Sequence, residues 1–169
     1  MKLPPDWSEL IDSLCSHHVR FLIVGAHALA VHGRPRATGD LDVLVEPTRA
    51  NAERLGRALH AFGFPALAAE ASKFAEPDRM ATLGREPLRV DLLTSISGVS
   101  FAQAWRGRKT VTFGERRVGF LGLREFISNK HAAGRPKDLL DIALLAEGHG
   151  RKERAGERAR KRTRPRRTS

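Results

Sequence analysis

An α/β fold is what this 169-residue sequence predicts. Two observations carry that expectation. A short β-branched apolar run, Phe21-Leu22-Ile23-Val24, is cut by Gly25 and followed by a helical stretch, Ala26 to Val31. Strand-like and helix-like segments then keep alternating to about residue 146. At this length the chain is expected to form one domain over residues 1–148, large enough for a single good core. A basic tail follows at 149–169.

The elements are read in order. Asp6–His18 spaces Trp7, Leu10, Ile11, Leu14 and Cys15 along one helical face, with Asp6 as its expected N-cap. After the strand at Phe21–Val24 and the helix Ala26–Val31, a polar loop, Gly33 to Gly39, leads into Asp40-Leu41-Asp42-Val43-Leu44-Val45. Side chains two apart on a strand share a face, so Asp40 and Asp42 point the same way. Adjacent carboxylates repel, and a cation between them relieves that repulsion, which points to a metal site.

Thr48–Phe62 reads as a helix stopped by Gly63, and Ala66–Phe74 as a further short one. Arg79–Leu83 and Leu88–Thr94 flank Gly84-Arg85-Glu86-Pro87 as a hairpin, with Asp91 inside an apolar run. A carboxylate there needs a metal or an ion pair, for which Arg89 and Arg79 are the candidates. Phe101–Trp105 is helical, and Thr110–Phe113 with Arg117–Leu121 forms a second hairpin around Gly114-Glu115. Leu123–Ala133 is a helix ended by Gly134. Pro136 suits the first turn of the last helix, Lys137–Ala146, whose Leu140, Ile142, Leu144 and Leu145 are expected mostly inside. Asp138 and Asp141 sit near its start, where the helix dipole stabilises both and suffices to explain Asp141.

The three separated carboxylates and the turn before them resemble the DNA polymerase β-like nucleotidyltransferases over roughly residues 5 to 147. The turn is Gly25-Ala26, the Asp-x-Asp pair is Asp40 and Asp42, and Asp91 fits the third carboxylate. Lys130 and Arg135-Pro136-Lys137-Asp138-Leu139-Leu140-Asp141 resemble the late motif of the abortive-infection, type IV toxin-like branch. The resemblance implies a small mixed β-sheet with flanking helices. It also implies transfer of a nucleoside monophosphate from an NTP to an acceptor hydroxyl. Asp40, Asp42 and Asp91 would hold two Mg²⁺ ions, about 4 Å apart. Gly25, Ala26 and Lys130 would hold the triphosphate. The pattern departs from the family at Ala26, where Gly or Ser is usual, so no hydroxyl reaches phosphate from that position.

The residues themselves leave other roles open. Arg36 and Thr38 either contact phosphate or offset the acidic pair, and Lys130, Arg135 and Lys137 either serve the site, with Lys137 a nucleotide contact, or form a solvated basic face. His27 and His32, five apart, fall on different helical faces and read as packing or surface residues.

Charge and cysteine usage narrow the setting. The net charge is +11. Arg151–Ser169 holds ten Lys/Arg and two Glu, a net of +8, which leaves +3 for residues 1–150. The tail has almost no apolar residue and is expected to stay unfolded, free to bind nucleic-acid phosphates. A lone Cys15 excludes an intrachain disulfide and fits a cytoplasmic setting. No run approaches a membrane span, and the N-terminus carries no signal-peptide pattern. The acceptor is left open among tRNA or another RNA, a small antibiotic and a protein side chain, as is a cognate antitoxin or other partner protein. The rival reading is a non-catalytic module of the same fold that binds nucleic acid or a partner protein.

Overall fold

The computed structural model describes residues 4–113, 116–143 and 145. Among them lie six strands: β1 (Phe21–Ile23), β2 (Asp40–Val45), β3 (Met80–Leu83), β4 (Arg89–Leu93), β5 (Lys109–Phe113) and β6 (Arg116–Phe120). The helices are α1 (Pro5–Ser16), α2 (Gly25–Val31), α3 (Arg49–Ala61), α4 (Pro65–Ala69), α5 (Phe101–Gly107), α6 (Leu123–Ala133) and α7 (136–143). One sheet takes all six strands in the order β3-β4-β2-β1-β6-β5. It is mixed: β2 runs parallel to β4 and β1 parallel to β6, while the other neighbours are antiparallel.

Alternation along the strands sorts the core into two layers. Phe21, Ile23, Leu41, Val43 and Val45 face α1 and α3, where Leu10, Ile11, Leu14, Leu55 and Leu59 are fully buried. Leu22, Val24 and Leu44 face the other way, onto Leu29, Ala104 and Phe126 of α2, α5 and α6. Asp40 and Asp42 alternate with the first set, so both lie on the second face, below Leu44 on the same strand. Strand β4 repeats the arrangement, with Val90 and Leu92 in the first core and Arg89 and Asp91 opposite.

Several boundaries differ from the sequence expectation. Helix α1 starts at Pro5 behind an N-cap at Pro4, which makes no side-chain cap, and Asp6 sits in its first turn rather than capping it. Thr48 is the N-cap of α3 and accepts from the Asn51 backbone N–H. The single short helix expected at Ala66–Phe74 is split into α4 and a 3-10 turn, Ala71–Ala75. The expected inner face of the last helix holds in part: Leu145 is buried in the core, but Leu140 is not. Leu140 is 60% exposed and Leu139 54%, whereas Asp138 and Asp141 are buried. Leu144 and the expected helix end at Ala146 lie outside the described residues, as does the tail. No helix among the described residues is long and apolar enough to cross a membrane.

Candidate metal and nucleotide site

Parallel pairing of β2 with β4 sets Asp40 beside Arg89 and Asp42 beside Asp91. Because these positions share one sheet face, three carboxylates and one guanidinium converge. One oxygen from each of Asp40, Asp42 and Asp91 lies within 4.8 Å of the others. The resemblance grouped these three residues, and the strand register is what brings them together.

The three carboxylates are not equivalent. Asp40 accepts a short hydrogen bond from Thr38 Oγ1 and one of 2.8 Å from Arg89 Nη2. Its partial burial pushes its acidity down, but the Thr38 hydroxyl and the Arg89 charge outweigh that and hold its pKa below the usual range. Asp91 is buried, accepts from Thr82 Oγ1 at 2.7 Å, and lies 3.3 Å from Arg89 Nη2. Asp42 makes no hydrogen bond or ion pair with any described side chain. Burial first, then repulsion by Asp40 and Asp91, raises its pKa, against the opposing charges of Lys130 and Lys137.

Gly25 is what lets Asp42 stand where it does. The residue has φ +61°, a conformation glycine adopts without penalty, and a Cβ built there would fall 1.9 Å from Asp42 Oδ2. The strand-to-helix turn thus passes its bare backbone directly over the carboxylate. The Val24 N–H donates to the Asp42 carbonyl at 3.0 Å and locks turn to strand.

A cleft of about 540 Å³ opens over this cluster. Gly25, Ala26, Arg36, Thr38, Asp40, Asp42, Asp91, Lys130 and Lys137 all line it. The nine residues singled out in the sequence are therefore brought to one place. Their partners differ from expectation in two respects. Lys130 is not on a solvated basic face: it is 4% exposed, with Nζ 2.6 Å from Asp138 Oδ1 and 3.1 Å from Asp141 Oδ2. The dipole is likewise insufficient for Asp141, which also receives Arg36 Nε at 3.1 Å and so ties the loop before β2 to α7. Arg135 closes the network on Asp138 at 2.7 Å. Burial opposes ionisation of Asp138, but the hydrogen bonds from Arg135 and Lys130 bring its pKa down to about 2.

Met80, Ser95, Ile96, Ser97 and Asn129, which the sequence reading left out, also line the cleft, as does Arg89, which was expected only as an ion-pair partner of Asp91. The expected pairing of Arg89 with Asp91 is present, at 3.3 Å, and its contact with Asp40 adds to it. Arg79, the other expected partner of Asp91, pairs with Glu76 instead. The packing reading of the histidines holds: His27 stands edge-on to Trp7, with ring centroids 5.2 Å apart, and His32 Nε2 meets the Leu121 carbonyl at 2.8 Å. Cys15 is free, and burial pushes its thiol pKa up, as suits a packing residue.

The cluster fits a divalent cation. Its donors are hard carboxylate oxygens, the kind Mg²⁺ and Mn²⁺ prefer. Asp42 is the half-buried member whose charge no donor answers, and the glycine turn leaves its oxygen clear.

No protein-family model matches this chain, and no curated protein matches it. Among solved structures it is similar to a Thermotoga maritima protein with a provisional nucleotidyltransferase assignment. The TM-score is 0.49 at 12% identity, over 92% of this chain and 96% of that one.

Proposed function

We propose that the chain is a metal-dependent nucleotidyltransferase. The observation that carries the reading is the meeting of Asp40, Asp42 and Asp91 in a cleft that Arg36, Lys130, Arg135 and Lys137 also line. Asp40, Asp42 and Asp91 would hold Mg²⁺, two ions if the family resemblance extends so far. Bound there, the metal supplies Lewis-acid activation of an acceptor hydroxyl and neutralises the charge of the triphosphate. Arg36 and Lys137, with the backbone of Gly25 and Ala26, bind phosphate oxygens at the rim. Lys130 contributes positive charge from the wall while anchored to Asp138 and Asp141. The acceptor oxygen bonds to the α-phosphorus as the bond to the pyrophosphate oxygen breaks, and Asp91 accepts the hydroxyl proton. Positioning and charge neutralisation supply most of the rate, so each ligand matters greatly.

RNA, tRNA included, is the acceptor class we favour. The basic tail supports that choice, and the late Lys130 to Asp141 motif supports placement in the abortive-infection branch, where a cognate antitoxin would be the partner. A second reading, a non-catalytic module of the same fold, draws on Ala26 and on Arg89, which already neutralises part of the acidic cluster. Asp42 weighs against it: a module binding no cation would keep that carboxylate, half-buried and without a donor, at an electrostatic cost.

The test is incubation of the full chain with each labelled NTP, Mg²⁺, and total RNA or a protein extract. Label should pass to an RNA and should disappear with Asp40→Ala or Asp42→Ala. Transfer that survives either substitution overturns the enzyme reading, and label on a protein overturns the choice of acceptor.

A further inference from the structure

The carboxylates proposed to take metal already have a resident cation. Arg89 Nη2 is 2.8 Å from Asp40 Oδ2 and 3.3 Å from Asp91 Oδ2, so a single nitrogen spans two of the three. This follows from register: Arg89 sits directly across from Asp40 and two residues before Asp91 on the same face. The Asp91 charge, followed by Asp40, strengthens its hold on the proton.

The seat is a poor one for a guanidinium. Nε is buried and donates to nothing, an unmet donor of the kind folded proteins seldom keep. A single nitrogen, at 2.8 Å from Asp40 and a longer 3.3 Å from Asp91, also replaces the paired, two-nitrogen grip that makes arginine–carboxylate bonds strong. A way out exists. The side chain is 34% exposed, and Nη1 already lies 3.4 Å from Oε1 of the exposed Glu86, a carboxylate outside the trio.

We propose that Arg89 is a positioning residue that competes with the divalent cation for Asp40 and Asp91, and so sets the metal affinity of the site. This inference rests on the nucleotidyltransferase reading for the identity of the metal. Arg89 holds two mutually repelling carboxylates at their working separation and offsets part of their charge. A cation arriving at the same oxygens must move the guanidinium aside, toward Glu86. The competition weakens binding of metal by itself and reserves tight binding for the metal carried on a nucleotide, whose phosphates offer the released guanidinium a new partner.

Removing Arg89 therefore has an effect opposite to that of removing a structural ion pair. It should cost stability without metal yet tighten metal binding. The experiment is a Mn²⁺ titration of the full chain, with free Mn²⁺ counted by its electron paramagnetic resonance signal and no nucleotide present. Melting curves with and without Mn²⁺ accompany it. Arg89→Ala should bind Mn²⁺ at least tenfold more tightly than the parent. It should melt lower without metal, with the deficit narrowing at saturating Mn²⁺. Arg89→Gln keeps a polar side chain and drops the charge, so it reports the same tightening if the alanine variant does not fold. Arg89→Lys, which keeps the charge, should stay within a few-fold of the parent. Equal or weaker Mn²⁺ binding by Arg89→Ala and Arg89→Gln overturns the proposal while leaving the metal site standing. A parent chain that binds no Mn²⁺ at millimolar concentration overturns both.

Discussion

Replacing Gly25 with alanine asks whether the turn exists to clear space for Asp42. Two costs are separable. A side chain at φ +61° costs about 1–2 kcal/mol of backbone strain, which corresponds to a fall in Tm of about 2–8 °C for a domain of this size. The second cost is local. The new Cβ would meet Asp42 Oδ2 at 1.9 Å, and contacts below 3.0 Å essentially never occur, so the carboxylate must retreat by roughly 1 Å. Misplacement on that scale is worth about 10²-fold in transfer, and Mn²⁺ binding should weaken alongside it. Gly63→Ala is the control. Its φ is +96° with nothing within 4 Å of the added Cβ, so it carries backbone strain alone. Urea denaturation of both variants and Mn²⁺ titration of both complete the comparison. The expected outcome is a similar stability loss in the two and a metal-binding defect in Gly25→Ala alone. If Gly25→Ala binds Mn²⁺ and transfers label like the parent, the close approach of turn and carboxylate has no functional meaning and the reasoning fails.

Three further outcomes are expected. Asp42→Asn removes a charge that no donor answers, so Tm without metal should hold or rise while transfer falls by about 10²-fold or more; a lower Tm would mean Asp42 has a stabilising partner. Asp138 ionises at about 2 in the fold and near 3.8 when unfolded, so its contribution of about 2 kcal/mol is complete above pH 4 and lost as pH falls toward 2. Acid titration of Asp138→Asn against the parent should show that loss in the parent alone, and parallel curves would refute it. Deleting Arg151–Ser169 takes away ten basic residues, so RNA association should weaken and its salt dependence flatten, with transfer to a small acceptor retained; an unchanged salt slope measured by filter binding would move the RNA surface to the cleft rim.

What the sequence determined by itself was local. The β-branched run before Gly25, the same-face pair Asp40 and Asp42, and the glycine stops of the helices are short-range patterns. They depend on steric rules and periodicity that hold wherever the segment ends up. The interleaved elements and the Asp40–Asp42 pair were legible on that basis, while most of the other cleft residues were singled out through the family resemblance. Tertiary structure decided the pairings. That Asp91 lies beside Asp42, and Arg89 across from Asp40, depends on the parallel register of β2 and β4, strands joined through α3, α4 and a hairpin. No periodicity within either strand encodes that register. Helix α7 shows the same limit from the other side. Leu145 is buried as the leucine pattern suggested, yet Leu140 stands exposed while Asp138 and Asp141 turn inward. Lys130 from α6 and Arg36 from the loop before β2 meet them there. A buried charge is tolerable only when its partners arrive from elsewhere in the chain, and a single helix read alone cannot show those partners.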